Sequence, residues 1–162
     1  MRRHQMDEQS NNNQQGGAIA IHSQYIKDLS LEIPGAPEIF SQVTSAPKIE
    51  VHVDVKSEPQ KDHLYTSELK IHMNGKVEDK TLFILELTYA ALAEVKVPEQ
   101  HLEAVLMIEL PRLIFPFARS IITRNLSEGG LPPFMLSPID FAALYMARKQ
   151  HEQKEHTPAN AN

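Results

Sequence analysis

The sequence predicts an α+β domain in which a four-stranded antiparallel sheet is followed by two main helices. Three observations lead there. Between residues 19 and 91 apolar side chains recur mostly at every second position, the period of strands with one buried and one solvated face. After Pro98 the spacing lengthens to that of helices and no strand pattern returns. The chain has 162 residues, 41% of them hydrophobic, which suits one domain with a modest core.

Residues 1–17, MRRHQMDEQSNNNQQGG, are polar. Such a segment cannot bury enough apolar surface to offset its chain entropy, so a disordered tail is expected, with the domain itself spanning 18–147. In the first strand Ile19, Ile21, Tyr25, Leu29, Leu31 and Ile33 fall on one side. His22, Gln24, Asp28, Ser30 and Glu32 fall on the other. Lys27 interrupts the apolar side and marks a bulge or an edge. Pro34, Gly35 and Pro37 end the strand. The connection PGAPEIFSQVTSAP, residues 34–47, carries Ile39 and Phe40, which either plug a satellite of the core or line a groove.

The second strand alternates Ile49, Val51, Val53 and Val55 with Glu50, His52, Asp54 and Lys56. The third places Tyr65, Ser67, Leu69, Ile71 and Met73 on one face. Asn74-Gly75 predicts the hairpin turn, since both residues tolerate positive φ. In the fourth strand, from about Val77 to Ala91, Phe83, Leu85, Leu87 and Tyr89 share a face. A loop with a glycine bulge aligns the odd-numbered faces of strands three and four. It is preferred over a plain two-residue turn because it gathers the larger apolar set. Leu82, Ile84 and Glu86 are then left on the outer face with Asp28 and Glu32.

Pro98 opens the helical half at a first turn, where a missing N–H costs little. His101 to Glu109 forms a first piece, which Pro111 breaks or kinks. Helix resumes to about Ser127 and stops at Gly129-Gly130. Leu110, Leu113, Ile114, Phe117, Ile121 and Ile122 leave this helix little polar face beyond Arg112, Arg119 and Arg124. A helix apolar on nearly every side is buried, and a chain this small cannot cover it alone. It reads as an oligomerisation helix, with Leu113, Ile114, Phe117, Ile121 and Ile122 at the interface. After the loop LPPFML, Ser137 is the expected cap of the last helix, with Pro138 at its first position and Asp140 in its first turn. Phe141, Leu144 and Tyr145 form its apolar side. Residues 148–162 are expected to fray into a disordered tail.

The formal net charge of −5 disfavours nucleic acid and anionic membrane as partners. There is no cysteine, which excludes disulfides and thiolate chemistry. No apolar stretch follows the N-terminal arginines, so no signal peptide is read there. The longest apolar run, Ala104 to Ile122, is interrupted by charges and prolines, which argues against membrane insertion and for a cytoplasmic protein. No phosphate-cradling glycine loop, metalloprotease or hydrolase motif is present, so neither catalysis nor a cofactor is expected. His22, His52 and His72 fall on polar strand faces; solvated surface is the plain reading, and a zinc site across neighbouring strands the sharper one.

Two runs carry a family resemblance. FPFARSIITRNLSEGGLPPFMLSPIDFAALYM, from Phe115 to Met146, resembles the C-terminal signature of the protein-export chaperone family SecB. YIKDLSLEIPGAPEIF, residues 25–40, resembles that family's first strand and the loop after it. The resemblance implies a Greek-key sheet and a homotetramer built as a dimer of dimers. It implies an ATP-independent holdase that keeps preproteins unfolded and delivers them to the SecA motor ATPase. Asp28, Glu32, Ile84 and Glu86 match the positions at which the family docks the basic, zinc-bearing C-terminal tail of SecA; any zinc there belongs to the partner. The family's crossover loop sets an aromatic beside its binding groove, which favours the groove reading of Phe40. A holdase needs long apolar walls, and Ile39, Phe40, Tyr65, Phe83, Leu85, Phe134 and Met135 are the expected ones. A SecB-like chaperone dedicated to an antitoxin remains an alternative, and a small-ligand binder or enzyme on the same sheet a more distant one.

Overall fold

The computed structural model describes residues 18–155. The strands are β1 (Ile19–Glu32), β2 (Lys48–Pro59), β3 (Leu64–Val77) and β4 (Lys80–Val95). They form one antiparallel sheet in the order β1-β4-β3-β2. Three consecutive strands lie side by side, and β1 and β2 occupy opposite edges. Residues 33–47 therefore cross from one edge of the sheet to the other, as in a Greek key. A short 3-10 turn, Glu38–Gln42, sits within that crossover.

Side chains of paired residues share a face. One row runs Val51, Met73, Leu85, Leu31, and the next runs Val53, Ile71, Leu87, Leu29. Odd-numbered residues of β2, β3 and β4 thus form the inner face, as the alternation requires. The hairpin reaches that alignment by another route than expected. Its turn is Glu78-Asp79, closed by Val77 opposite Lys80, with Glu78 at φ 54°. A bulge at Leu82 then restores the odd-to-odd register. Asn74-Gly75 lies inside β3 instead. Leu82, expected outside, is turned inward by its bulge and fully buried.

Strand β1 carries two register shifts, one passing His22 and one passing Lys27. The Lys27 bulge and the edge position both follow the sequence reading. Between the two shifts the faces exchange. Gln24 and Ile26 pair with Ala91 and Tyr89 on the inner face, and Tyr25 pairs with Ala90 on the outer one. Tyr25 therefore does not join the apolar side to which simple alternation assigns it.

The helices cover the inner face. Helix α1 (Glu99–Ala104) leads through a π-helical turn, Val105–Glu109, into α2 (Leu110–Glu128). The Leu110 N–H reaches back to the Val105 carbonyl, five residues earlier. A proline ring normally clashes with the carbonyl four residues before it, here that of Met107. The wide turn just ahead of Pro111 accommodates it, so the chain bends through this proline without losing its helix. Ile114, Ala118, Ile122 and Leu126 of α2 are buried against Leu69, Ile71, Met73 and Leu85 in one continuous core.

Helix α3 (Phe141–Glu155) starts later and ends later than expected. Asp140 rather than Ser137 is its cap, accepting a 2.9 Å hydrogen bond from the Ala143 N–H. Residues 148–155 are helical, not a frayed tail. Arg148 donates a 2.9 Å hydrogen bond to the Val55 carbonyl, and Lys149 reaches Glu103 at 2.5 Å. The expected tails at 1–17 and 156–162 lie outside the described residues. Among the described residues no helix is long and apolar enough to cross a membrane.

Candidate functional site

Two surfaces gather the residues singled out in the sequence. The first is the outer face of the sheet. The Lys27 bulge sets Asp28 opposite Thr88, Ser30 opposite Glu86 and Glu32 opposite Ile84. Asp28, Glu32, Ile84 and Glu86 thus all point away from the helices and form one patch across the β1–β4 pair. Carboxylates in adjacent rows on neighbouring strands present a negative field to solvent, and Ile84 supplies an apolar centre. The Lys27 ammonium spans the same face to Glu68, an ion pair that raises the Lys27 pKa above its ordinary value.

The patch continues across the sheet. His72 pairs directly with Glu86, and its Nδ1 lies 3.1 Å from Glu86 Oε1. His52 pairs with His72 in turn, their ring centroids 6.2 Å apart. Strand alternation places both histidines on a polar face but gives no sign that His72 meets Glu86. That contact depends on the Leu82 bulge, which no local sequence signal announces. Among the described residues no three His, Cys, Asp or Glu side chains are arranged to hold a metal ion.

The second surface is a cleft of about 380 Å³ at the end of the sheet nearest the Glu78-Asp79 turn. Pro47 and Ile49 form one side, Leu82 and Phe83 the floor, and Leu131 to Phe134 the other side. Phe83 and Phe134 of the expected groove therefore meet here. Phe40 is 41% exposed and lies beside the Gly129-Gly130 turn, its ring 3.8 Å from the place of a Cβ at Gly130. The Pro132-Pro133 pair stiffens the opposite wall and leaves two fewer backbone donors to satisfy.

The other expected groove residues lie elsewhere. Ile39 is buried beside Gly35 in the main core, and Leu85 is buried beneath α2. Met135 lies over the flank of α2, beside Pro116 and Ser120. Tyr65 is at the opposite end of the sheet, packed with Val95 and Leu110. Ten residues of extended chain separate it from Gly75, roughly 34 Å. Ile39 and Leu85 are apolar because they fill the core; the alternation pattern cannot separate such residues from cleft walls.

Helix α2 divides the residues expected at an oligomer interface. Ile114 and Ile122 are fully buried in the protomer's own core. Leu113 and Phe117 face outward, 48% and 51% exposed, with Ile121 half-buried between the two sides. One turn apart, Leu113 and Phe117 form an apolar stripe along the solvent side of the helix.

Comparison with known proteins agrees with this architecture. The family model for SecB, described as preprotein translocase subunit SecB, matches residues 11–152. The protein-export protein SecB of Rhodospirillum rubrum is 43% identical over 143 residues, covering 88% of this chain and 89% of that one. That of Parvibaculum lavamentivorans is 42% identical over 168 aligned residues, covering 97% of this chain and all of the other. A Mycobacterium tuberculosis SecB-like chaperone, solved with a peptide from an antitoxin, superposes with a TM-score of 0.63 at 13% identity, over 75% of this chain and 91% of that one. At that identity the likeness concerns the fold. With a Greek-key sheet, a proline-bearing helix packed on it and a family match spanning nearly the whole chain, the protein belongs to the SecB family.

Proposed function

We propose that the protein is a cytoplasmic, ATP-independent holdase for protein export. It binds unfolded preproteins, keeps them from folding and passes them to SecA. The observation that carries this reading is the cleft at the end of the sheet. Every side chain that lines it is apolar, with aromatic rings and prolines among them, so its polar groups are backbone ones that do not select a particular side chain. Such a surface suits extended apolar segments of varied sequence. Binding the unfolded chain lowers its free concentration, which restrains folding by mass action without any chemistry.

The acidic patch supports delivery to SecA. Asp28, Glu32 and Glu86 present negative charge around Ile84, matched to a basic tail. Four protomers would assemble through β1 edges and through the Leu113–Phe117 stripes, bringing several clefts onto one particle. Weak sites linked in this way bind a long chain far more tightly than any one of them.

Client binding tests the reading. A reduced, unfolded preprotein should bind the wild-type protein, and Phe134→Asp should weaken that binding about tenfold or more while leaving SecA binding unchanged. Equal client affinity for the two proteins would remove the cleft from the account.

A further inference from the structure

The docking patch does not end at the β1–β4 pair. One row of the outer face runs His52, His72, Glu86, Ser30 across all four strands. A depression of about 310 Å³ joins Asp28 and Glu86 to both imidazoles. The two histidines thus border the same surface as the docking carboxylates.

We propose that His72 is a proton-dependent competitor for Glu86 on the docking surface, one that makes capture of a basic partner depend on proton concentration. The inference rests on the docking reading above. His72 Nδ1 stands 3.1 Å from Glu86 Oε1, with side chains 42% and 58% exposed, so water and a partner can reach both. When the imidazole is neutral, its hold on the Glu86 carboxylate is weaker and Glu86 can turn to an incoming lysine or arginine. When it is protonated, it donates a charge-assisted hydrogen bond to the same carboxylate and competes for it.

The surroundings set the sign. Beside His72, β3 presents Lys70 on this face, β2 presents Glu50, His52 and Asp54, β4 presents Glu86, and β1 presents Asp28 and Glu32. The helices pack on the opposite face. Protonating His72 adds positive charge to a patch that works by being negative, and protonating His52 adds a second charge one strand away. Both changes weaken attraction to a basic tail. Docking should therefore weaken on acidification, as the two imidazoles take up protons. One partly screened charge at this range corresponds to about a three- to tenfold loss.

The test is the affinity of the zinc-loaded C-terminal tail of SecA between about pH 5.5 and 8 for wild type, His72→Gln and Glu86→Lys. The ratio of wild type to His72→Gln at each pH cancels titration of the tail itself. Near pH 8 the two should bind alike, and near pH 5.5 wild type should bind about three- to tenfold more weakly. A constant ratio across the range, with Glu86→Lys failing to bind, would overturn the role of His72 and leave the docking reading standing. Normal binding by Glu86→Lys would overturn both.

Discussion

The Phe83 ring occupies the space that a side chain at Gly75 would need: a Cβ there would lie 2.2 Å from Phe83 Cε1. The two residues are direct cross-strand partners on the inner face. An Asn-Gly pair that reads as a turn is in fact a close approach, and the absent Cβ lets an aromatic ring floor the cleft. Gly75→Ala should push the ring aside and destabilise the protein by about 1–3 kcal/mol. Urea unfolding measures this, and an unchanged midpoint would show that the ring has room to move.

Helix α2 has a core side and a free side, and substitutions on them should part company. Ile122→Ala empties a fully buried position and should cost about 2–5 kcal/mol of protomer stability. Phe117→Asp should leave secondary structure intact by circular dichroism but halve the particle mass, because the exposed ring lies on the proposed tetramer contact. A full-sized Phe117→Asp particle would place that contact elsewhere.

Reversing charge on the outer face should separate docking from assembly. Asp28→Lys with Glu86→Lys should abolish SecA binding, while mass and client binding stay as in wild type. Surface plasmon resonance against SecA reads the first and light scattering the second. Retained SecA affinity would sink the assignment of the patch.

The α1–α3 tie should respond to pH at both ends. A hydrogen bond from Lys149 holds the Glu103 carboxyl below its ordinary value of 4.5, and the same bond raises the Lys149 ammonium above 10.5. The carboxylate's contribution is present above the ordinary glutamate value and disappears as pH falls through the lowered one. The ammonium's is present below the ordinary lysine value and disappears as pH rises through the raised one. Hydrogen exchange in α3 should therefore quicken below about pH 4 more in wild type than in Glu103→Gln, which lacks the titrating group. Identical acid profiles would mean that α3 is held by its apolar side alone.

Strand periodicity carried most of the fold. Val51, Val53, Leu69, Ile71, Leu85 and Leu87 alternate without interruption, and the inner face follows from them. Bulges were harder to read. Lys27 was visible because it breaks an apolar side, whereas Leu82 is apolar in either orientation and leaves no trace. Asn74-Gly75 drew the turn four residues early because the real turn, Glu78-Asp79, lacks glycine. The last helix was cut short because polar residues after Ala147 resemble a tail. Their anchors, Val55 and Glu103, come from distant parts of the chain. That Asp28, Glu32, Ile84 and Glu86 share the outer face was legible from strand alternation. The cleft was only half legible, since burial of Ile39 and Leu85 is decided by packing that periodicity does not describe.

The most direct test of the account is native mass, measured alone and with a reduced, unfolded preprotein. A particle of four 18.3 kDa chains is expected, one that takes up the unfolded preprotein and ignores its folded form. A monomer, or a particle indifferent to unfolded chains, would contradict the holdase reading and leave the cleft without a client.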